Sequence, residues 1–254
     1  MTFELFKKKQ KRNKIFILSS QILITTFFII IWQYLSDKNY IDTFITSSPK
    51  NIINTLISLY SQNNLFIHIF VTIKETIISF TITSILSIII ALFLYNFNTL
   101  SKIIDPYLTL LNSLPKVALG PIIIIWMGAN IKSIITMSVL ISLIVSIQTI
   151  LNGFNNTDKL KMKLMDTFNA SKVQKIIYLV LPHNKETILS TLKINISMCL
   201  IGVVTGEFLT SKAGIGYLIL YGSQVFNLDL VLTGIFILII ISIIMYKIVV
   251  NFSK

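Results

Sequence analysis

The sequence predicts an all-α integral membrane protein with six transmembrane helices, a cytoplasmic pair of helices and an amphipathic helix on the outer surface. Charged residues make up 13% of the 254 positions and apolar residues 54%, whereas soluble domains average about 25% charged residues. Six apolar runs are each long enough, as helix, to cross roughly 30 Å of hydrocarbon. We therefore expect residues 1–254 to form a single transmembrane domain.

The first apolar run, residues 15–35, ends with Trp32 and Tyr34, where an aromatic belt at the membrane interface is expected. It is too long for the apolar core of a signal peptide, and no small-residue cleavage site follows it. We therefore predict an uncleaved first helix. The six predicted spans are residues 15–35, 66–95, 106–127, 131–151, 187–209 and 228–250.

Segment 36–65 contains a second kind of helix. Ser48 is a suitable N-cap, and Pro49 follows at the first helical position, where its missing N–H does no harm. From Ile52 onward the apolar side chains recur at helical spacing, which predicts an amphipathic helix. This helix either lies on the outer membrane surface or packs over the bundle.

The net charge of +12 reflects topology rather than nucleic-acid binding. A nucleic-acid binder concentrates basic residues on one face of a folded domain, whereas here they flank the apolar spans. If the N-terminus is cytoplasmic, the inner segments hold fifteen Lys and Arg residues and the outer segments four. The positive-inside rule then predicts a multi-pass protein of the cell membrane with both termini in the cytoplasm.

Few residues are available for chemistry. The single cysteine, Cys199, lies in an apolar run, and His68 and His183 are far apart in sequence, so we expect neither a disulfide nor a metal site. No GxxxxGK[ST] phosphate loop is present, so the chain has no ATP site of that kind. No span combines histidine with paired carboxylates. We predict a protein that is not an enzyme and that needs no cofactor.

Segment 152–186 is longer than a connection between two spans requires. Val173, Ile176, Ile177 and Val180 follow i, i+3, i+4, i+7 spacing, and such an apolar stripe needs a partner to cover it. The segment is predicted to project into the cytoplasm as two short helices. This arrangement is suited to binding another protein.

The turn between these two helices is predicted at Asn169, Ala170 and Ser171. Asn tolerates a left-handed backbone conformation and Ser is a good N-cap. Farther along, Leu181 and Pro182 are predicted to end the second helix, because proline disfavours helical geometry in the residue before it.

Two places are candidates for the transport pathway or its gate. Pro115 and Pro121 are predicted to interrupt the third span, and irregular backbone at membrane depth survives only beside protein or a water-filled cavity. Lys116, between them, is costly in lipid and is expected to face the bundle or reach the interface. A kinked packing helix is the alternative for this span.

The second candidate gate follows the fifth span. Glu207 is predicted at the end of that span, and Gly214 and Gly216 allow the chain to turn back into the membrane. This segment is either an outer gate, a docking site for another protein, or simple re-entrant packing. Lys74 and Glu75, early in the second span, are predicted to be solvated or paired with each other.

The 152–186 segment resembles the cytoplasmic coupling loop of ABC-importer permeases. That loop reads EAA, three residues, Gly, and about a dozen residues later Leu-Pro. Here Asn169 stands at the Gly position, Ala170-Ser171 follow, and Leu181-Pro182 close the motif, whereas Lys163-Leu164-Met165 depart from the triplet. The resemblance implies that Asn169, Ala170, Ser171, Val173, Ile177, Leu181 and Pro182 contact an ATPase.

Two further motifs resemble one subfamily, the permeases for taurine, aliphatic sulfonates, nitrate and thiamine-precursor pyrimidines. They are SLPKVALGPIIIIWMGAN (113–130) and GEFLTSKAGIGYLI (206–219). The resemblance implies a permease homodimer, with a heterodimer as the alternative, bound to a cytoplasmic ATPase dimer and served by an extracellular or lipid-anchored binding protein. Segment 210–222 is then a candidate seat for that substrate-delivery protein. The implied cargo is a sulfonate, taurine or nitrate-like anion. A thiamine-precursor pyrimidine, or an ion-coupled secondary transporter, is the alternative.

Overall fold

The computed structural model describes residues 3–62 and 64–252, and within these ranges the regular structure is helical, with no strand. Helix α1, Phe3–Asp37, is continuous and extends on both sides of the predicted first span. Apolar side chains along it, such as Phe16 and Phe28, are exposed. Near its C-terminal end Gln33 Oε1 accepts a hydrogen bond from the Lys50 N–H, at 3.0 Å, which ties α1 to the helix Pro49–Ser61.

The predicted amphipathic helix is α3, Pro49–Ser61, which follows the short helix α2, Thr43–Thr46. Ser48 caps it as predicted, with its Oγ accepting from the Asn51 N–H at 3.1 Å. Leu59 is buried in a core cluster shared with the last long helix, whereas Ile53 and Ile57 are exposed. Helix α3 therefore packs over the bundle, which is the second of the two predicted placements.

Among the described residues, five helices are long and apolar enough to cross a membrane: α1 and four that pack together as a bundle. The four coincide with the predicted second, fourth, fifth and sixth spans, with ends shifted by a few residues. They are α4 Leu65–Asn96, α7 Ile131–Asn155, α11 Lys185–Thr210 and α13 Leu228–Phe252.

The predicted third span, 106–127, is interrupted at Pro115, as predicted, but its first helix begins earlier than predicted, at Asn98. The chain forms α5, Asn98–Ser113, a 3₁₀ turn over Lys116–Leu119, and α6, Gly120–Met127, with a bend of 88° between the two parts. The bend lies at Pro115, because proline pushes the preceding residue into extended geometry: Leu114 has a ψ of 141°. The part of the chain that the structure describes then has up to six candidate spans, if this bent pair counts as one.

Small polar residues form the contact between α4, α7 and α11. Thr83 and Ser142 are hydrogen-bonded at 3.0 Å, and the Ser138 Oγ donates to the Cys199 carbonyl at 2.8 Å. A Cβ at Gly202 would meet the Ser138 backbone, so the helices approach as closely as helices do at small-residue interfaces in membranes. Cys199 is fully buried in this contact.

Candidate functional site

Glu207 lies at the centre of a polar cluster near the C-terminal end of α11. Its side chain is 0% exposed. Its Oε1 accepts from the Thr72 hydroxyl at 2.7 Å, and its Oε2 accepts from the Gly216 N–H at 2.6 Å. The carboxyl group thus joins three elements: α11, α4 and the start of α12, Ile215–Gln224.

The turn between α11 and α12, residues 211–214, and the first residue of α12 are also held to α4. The Gly214 N–H donates to His68 Nδ1 at 3.0 Å, and the Ile215 N–H donates to the Thr72 Oγ1 at 2.8 Å. The His68 ring stacks on Tyr217, with 5.9 Å between ring centroids. Three successive N–H groups, from Gly214 to Gly216, are therefore each bound by a side chain, and the turn is fixed.

Both predicted gate glycines have a steric reason to be glycine. Gly214 has a φ of 115°, which L side chains rarely adopt, and a Cβ there would overlap the Glu207 carboxyl group. A Cβ at Gly216 would lie 2.7 Å from Glu207 Oε2. The structure thus brings together Glu207, Gly214 and Gly216, which the sequence placed at one candidate gate.

The placement predicted for Glu75 is wrong. Its side chain is 3% exposed and lies within hydrogen-bonding reach of the Glu207 carboxyl group, whereas Lys74 is exposed. The helix geometry explains the difference, because successive residues point about 100° apart around a helix. Glu75 is therefore on the same side of α4 as Thr72, and Lys74 is not.

Sequence reasoning did not assign His68 and Thr72 to this cluster. The signal was present: His68, Thr72, Thr76, Ser79 and Thr83 recur every three or four residues along an apolar span. Such a polar stripe on a transmembrane helix predicts a face turned toward protein. Of these five, the four from Thr72 onward are buried.

The candidate pathway residues lie on the bent segment rather than at the turn. The Lys116 Nζ donates to Asn112 Oδ1 at 3.0 Å and to the Ile141 carbonyl of α7 at 3.3 Å, so its ammonium group is bound to protein. Pro115 causes the bend, as predicted. Pro121 instead lies in the first turn of α6, where no N–H is needed, and it does not break that helix.

The 152–186 segment forms two short helices, α8, Lys159–Thr167, and α9, Lys172–Lys175, joined by a turn. Asn169 has a φ of 49°, which is the left-handed conformation predicted for it. Ser171 and Gln174 form a capping box, with the Ser171 N–H donating to Gln174 Oε1 at 2.7 Å. Asp166 and Lys175 form an ion pair across the turn.

The predicted helix end at Pro182 is wrong. Helical backbone continues through a π-helical turn, Ile176–Val180, into α10, Leu181–His183. The Leu181 N–H donates to the Ile176 carbonyl, one residue farther back than in an α-helix. This wider turn accommodates a proline that offers no N–H of its own, so Pro182 begins a helical segment instead of ending one.

The predicted apolar stripe is divided between two environments. Val180 is fully buried, and Leu181 packs with it against the core cluster that contains Phe154. Val173 and Ile177 are exposed. The sequence prediction omitted four further exposed apolar side chains of this segment, which are Leu160, Leu164, Phe168 and Tyr178.

Comparison with known proteins agrees with this architecture. The family described as binding-protein-dependent transport system inner membrane component matches residues 83–254, which includes the whole 152–186 segment and the turn between α11 and α12. The match therefore covers the 152–186 segment, Glu207 and the turn that follows it, and more than half of the chain, but not the α4 residues His68, Thr72 and Glu75.

Individual relatives extend the similarity toward the N-terminus. An ABC transporter permease protein of Haemophilus influenzae is 28% identical over 89% of this chain and 91% of its own length. A formylaminopyrimidine transport permease of Halalkalibacterium halodurans is 26% identical, over 76% and 78% respectively. An aliphatic sulfonates transport permease of Bacillus subtilis is 26% identical, over 85% and 78%. The chain belongs to the family of inner membrane components of binding-protein-dependent transport systems, the permeases of ABC importers.

Proposed function

We propose that this permease imports a small solute that an external binding protein delivers, using ATP hydrolysed by a separate cytoplasmic subunit. The observation that carries the proposal is the 152–186 segment, which has an ordered turn at Asn169 and exposed apolar side chains around it. Apolar side chains exposed on a polar loop indicate a protein partner. Family membership supports an ATPase as that partner.

The 152–186 segment packs against two of the spans, so that its displacement would also displace them. Val180 is buried against the cluster that contains Ile150 and Phe154 near the end of α7. The buried Asn184, at the start of α11, donates to the Thr157 Oγ1 at 2.9 Å. A displacement of α8 and α9 would therefore move α7 and α11 as rigid bodies, which suits a two-state transport cycle.

The turn between α11 and α12 would respond at the opposite end of α11. Because His68 and Thr72 of α4 hold this turn, a shift of α11 relative to α4 must move it or break its hydrogen bonds. We propose that it gates the outer entrance of the pathway.

The proposed cargo is a sulfonate, taurine or nitrate-like anion. The relative named for aliphatic sulfonates supports this class, and the half-buried Lys116 provides a positive charge on the bent segment, beside α7. The relative named for formylaminopyrimidine supports the second candidate, a thiamine-precursor pyrimidine. The test is stimulation of ATPase activity by the binding protein loaded with taurine or with the pyrimidine, since only the cognate cargo should stimulate it.

The permease is predicted to work as a homodimer on an ATPase dimer. One chain supplies one coupling segment, whereas an ATPase dimer offers two grooves, and most homo-oligomers close with twofold symmetry. Native mass spectrometry of the purified complex should give two permease chains for two ATPase chains. One permease chain for each ATPase dimer would contradict the prediction, and a second, related permease would indicate a heterodimer.

Both termini and the 152–186 segment are predicted to be cytoplasmic. Cys199 is buried, so a cysteine introduced at an exposed position is a selective target for a membrane-impermeant maleimide. In intact cells, Lys212→Cys at the turn between α11 and α12 should be labelled, and Lys163→Cys in α8 should be labelled only after the cells are opened. The reverse pattern would invert the orientation.

A further inference from the structure

Glu75 is a buried carboxyl group without a conventional partner. It lies on α4, is 3% exposed, and its Oε2 has no hydrogen-bond partner among the described residues. The carboxyl group of Glu207, fully buried on α11, lies within hydrogen-bonding reach. Two acidic side chains thus meet at buried positions of the bundle.

The two carboxyl groups have different surroundings. Glu207 accepts from the Thr72 hydroxyl and from the Gly216 N–H, and both contacts suit an ionised carboxylate. Glu75 receives no such donor. If both groups were ionised, like charges would meet in a buried site, which is strongly unfavourable, and the Glu75 carboxylate would be buried without a hydrogen-bond donor at its Oε2.

A cation must therefore accompany the pair, and the geometry selects which one. No group of three His, Cys, Asp or Glu side chains in the described part of the chain is placed to hold a metal ion. A proton needs only the two carboxyl groups, because a protonated carboxyl group is a hydrogen-bond donor and an ionised one is an acceptor.

We propose that Glu75 and Glu207 form a proton-binding site beneath the turn between α11 and α12. Glu75 is the carboxylic acid, and its O–H donates to the Glu207 carboxylate. Glu207 is thereby held where it also accepts from Thr72 and from Gly216 of the turn. Glu75 is a positioning residue, which acts on the turn through Glu207.

The other ionisable groups near the pair do not replace this proton. The His68 Nδ1 accepts from the Gly214 N–H, so this ring nitrogen carries no proton. The Tyr217 ring stacks on His68. Lys74 is exposed, on a different side of α4 from Glu75. The site is independent of the cargo and of the ATPase, so it can be tested on the permease alone.

Infrared spectroscopy detects the proton directly. The full-length permease in lipid nanodiscs at neutral pH should show the C=O stretching band of a protonated carboxyl group, which exchanges slowly in D₂O because the site is buried. Glu75→Gln should remove the band. Glu186→Gln, at an exposed position of α11, is the matched control and should leave it unchanged. Absence of the band from the wild-type protein, or its persistence in Glu75→Gln, would overturn the proposal.

A stability series tests the positioning role and shows whether the variants fold. Gln keeps a neutral donor at position 75, so Glu75→Gln should retain the wild-type melting temperature. Ala removes the donor and leaves Glu207 without it, so Glu75→Ala should melt several degrees lower. Equal melting temperatures for Glu75→Ala and Glu75→Gln would show that no hydrogen bond from residue 75 supports the turn, and would also overturn the proposal.

Discussion

Replacement of Ala170 with glutamate is expected to leave the permease inserted in the membrane but unable to retain or stimulate its ATPase. Ala170 follows the left-handed Asn169, and its side chain is half-buried at the turn between α8 and α9. A larger side chain in a packed contact costs about 1–3 kcal/mol, and a carboxylate buried without a partner costs more. Each 1.4 kcal/mol is roughly a tenfold loss of affinity, so co-purification should fall by about 10-fold to 100-fold or more.

The matched control for this prediction is Lys161→Gln. Lys161 is exposed on α8, and a solvated lysine beside the contact contributes little to binding. ATPase stimulation by this variant should stay near the wild-type value. If Ala170→Glu retains its ATPase as well as Lys161→Gln does, segment 152–186 is a linker and not the coupling element.

The second large effect is expected at Gly214. Alanine there must adopt a φ of 115°, and its Cβ would overlap the buried Glu207 carboxyl group. Backbone strain alone costs about 1–3 kcal/mol. We expect Gly214→Ala to lower the free energy of unfolding by at least about 2 kcal/mol, and to abolish transport because the turn detaches from α4.

Thermal unfolding can be followed through the buried Cys199. Its thiol becomes reactive toward a fluorogenic maleimide only when the bundle unfolds on heating. Gly222→Ala is the control: it lies within α12, where a Cβ would meet its nearest neighbour, the Asn227 carbonyl, at 3.1 Å. A Gly214→Ala variant that melts at the temperature of Gly222→Ala would show that the turn tolerates a side chain and does not depend on its close contact with Glu207.

Local sequence signals predicted much of the fold. The long apolar runs at residues 66–95, 131–151, 187–209 and 228–250 became helices, because a backbone in lipid must satisfy its own hydrogen bonds. The cap at Ser48 and the left-handed Asn169 were also predicted correctly. Each of these features depends on a few neighbouring residues, which is the information that a sequence states directly.

The prolines show the limit of predicting helix bends and helix ends from the local sequence. Pro115 bends the chain by 88°, Pro121 begins α6, and Pro182 lies in continuous helical backbone after a π turn. Proline removes one N–H in every case, but the outcome depends on how neighbouring elements pack. At residue 182 the burial of Val180 against α7 holds the chain in helical geometry.

The polar cluster could be predicted only in part. Glu207, Gly214 and Gly216 are close in sequence, and their pattern identified the turn. Glu75 is 132 residues from Glu207, so the meeting of these two carboxyl groups depends on how α4 packs against α11. The packing of two helices distant in sequence cannot be read from a single sequence. The adjacent Lys74 suggested a local ion pair with Glu75 instead.

The most direct test of the account is uptake by proteoliposomes that contain the permease, its ATPase and the loaded binding protein. Uptake should require ATP and the binding protein together, should be unaffected when ion gradients are collapsed, and should be lost with Ala170→Glu but kept with Lys161→Gln. The central claim is that an ATPase bound to residues 152–186 drives the transport cycle of this chain. Uptake by the permease alone, driven by an ion gradient, would contradict it.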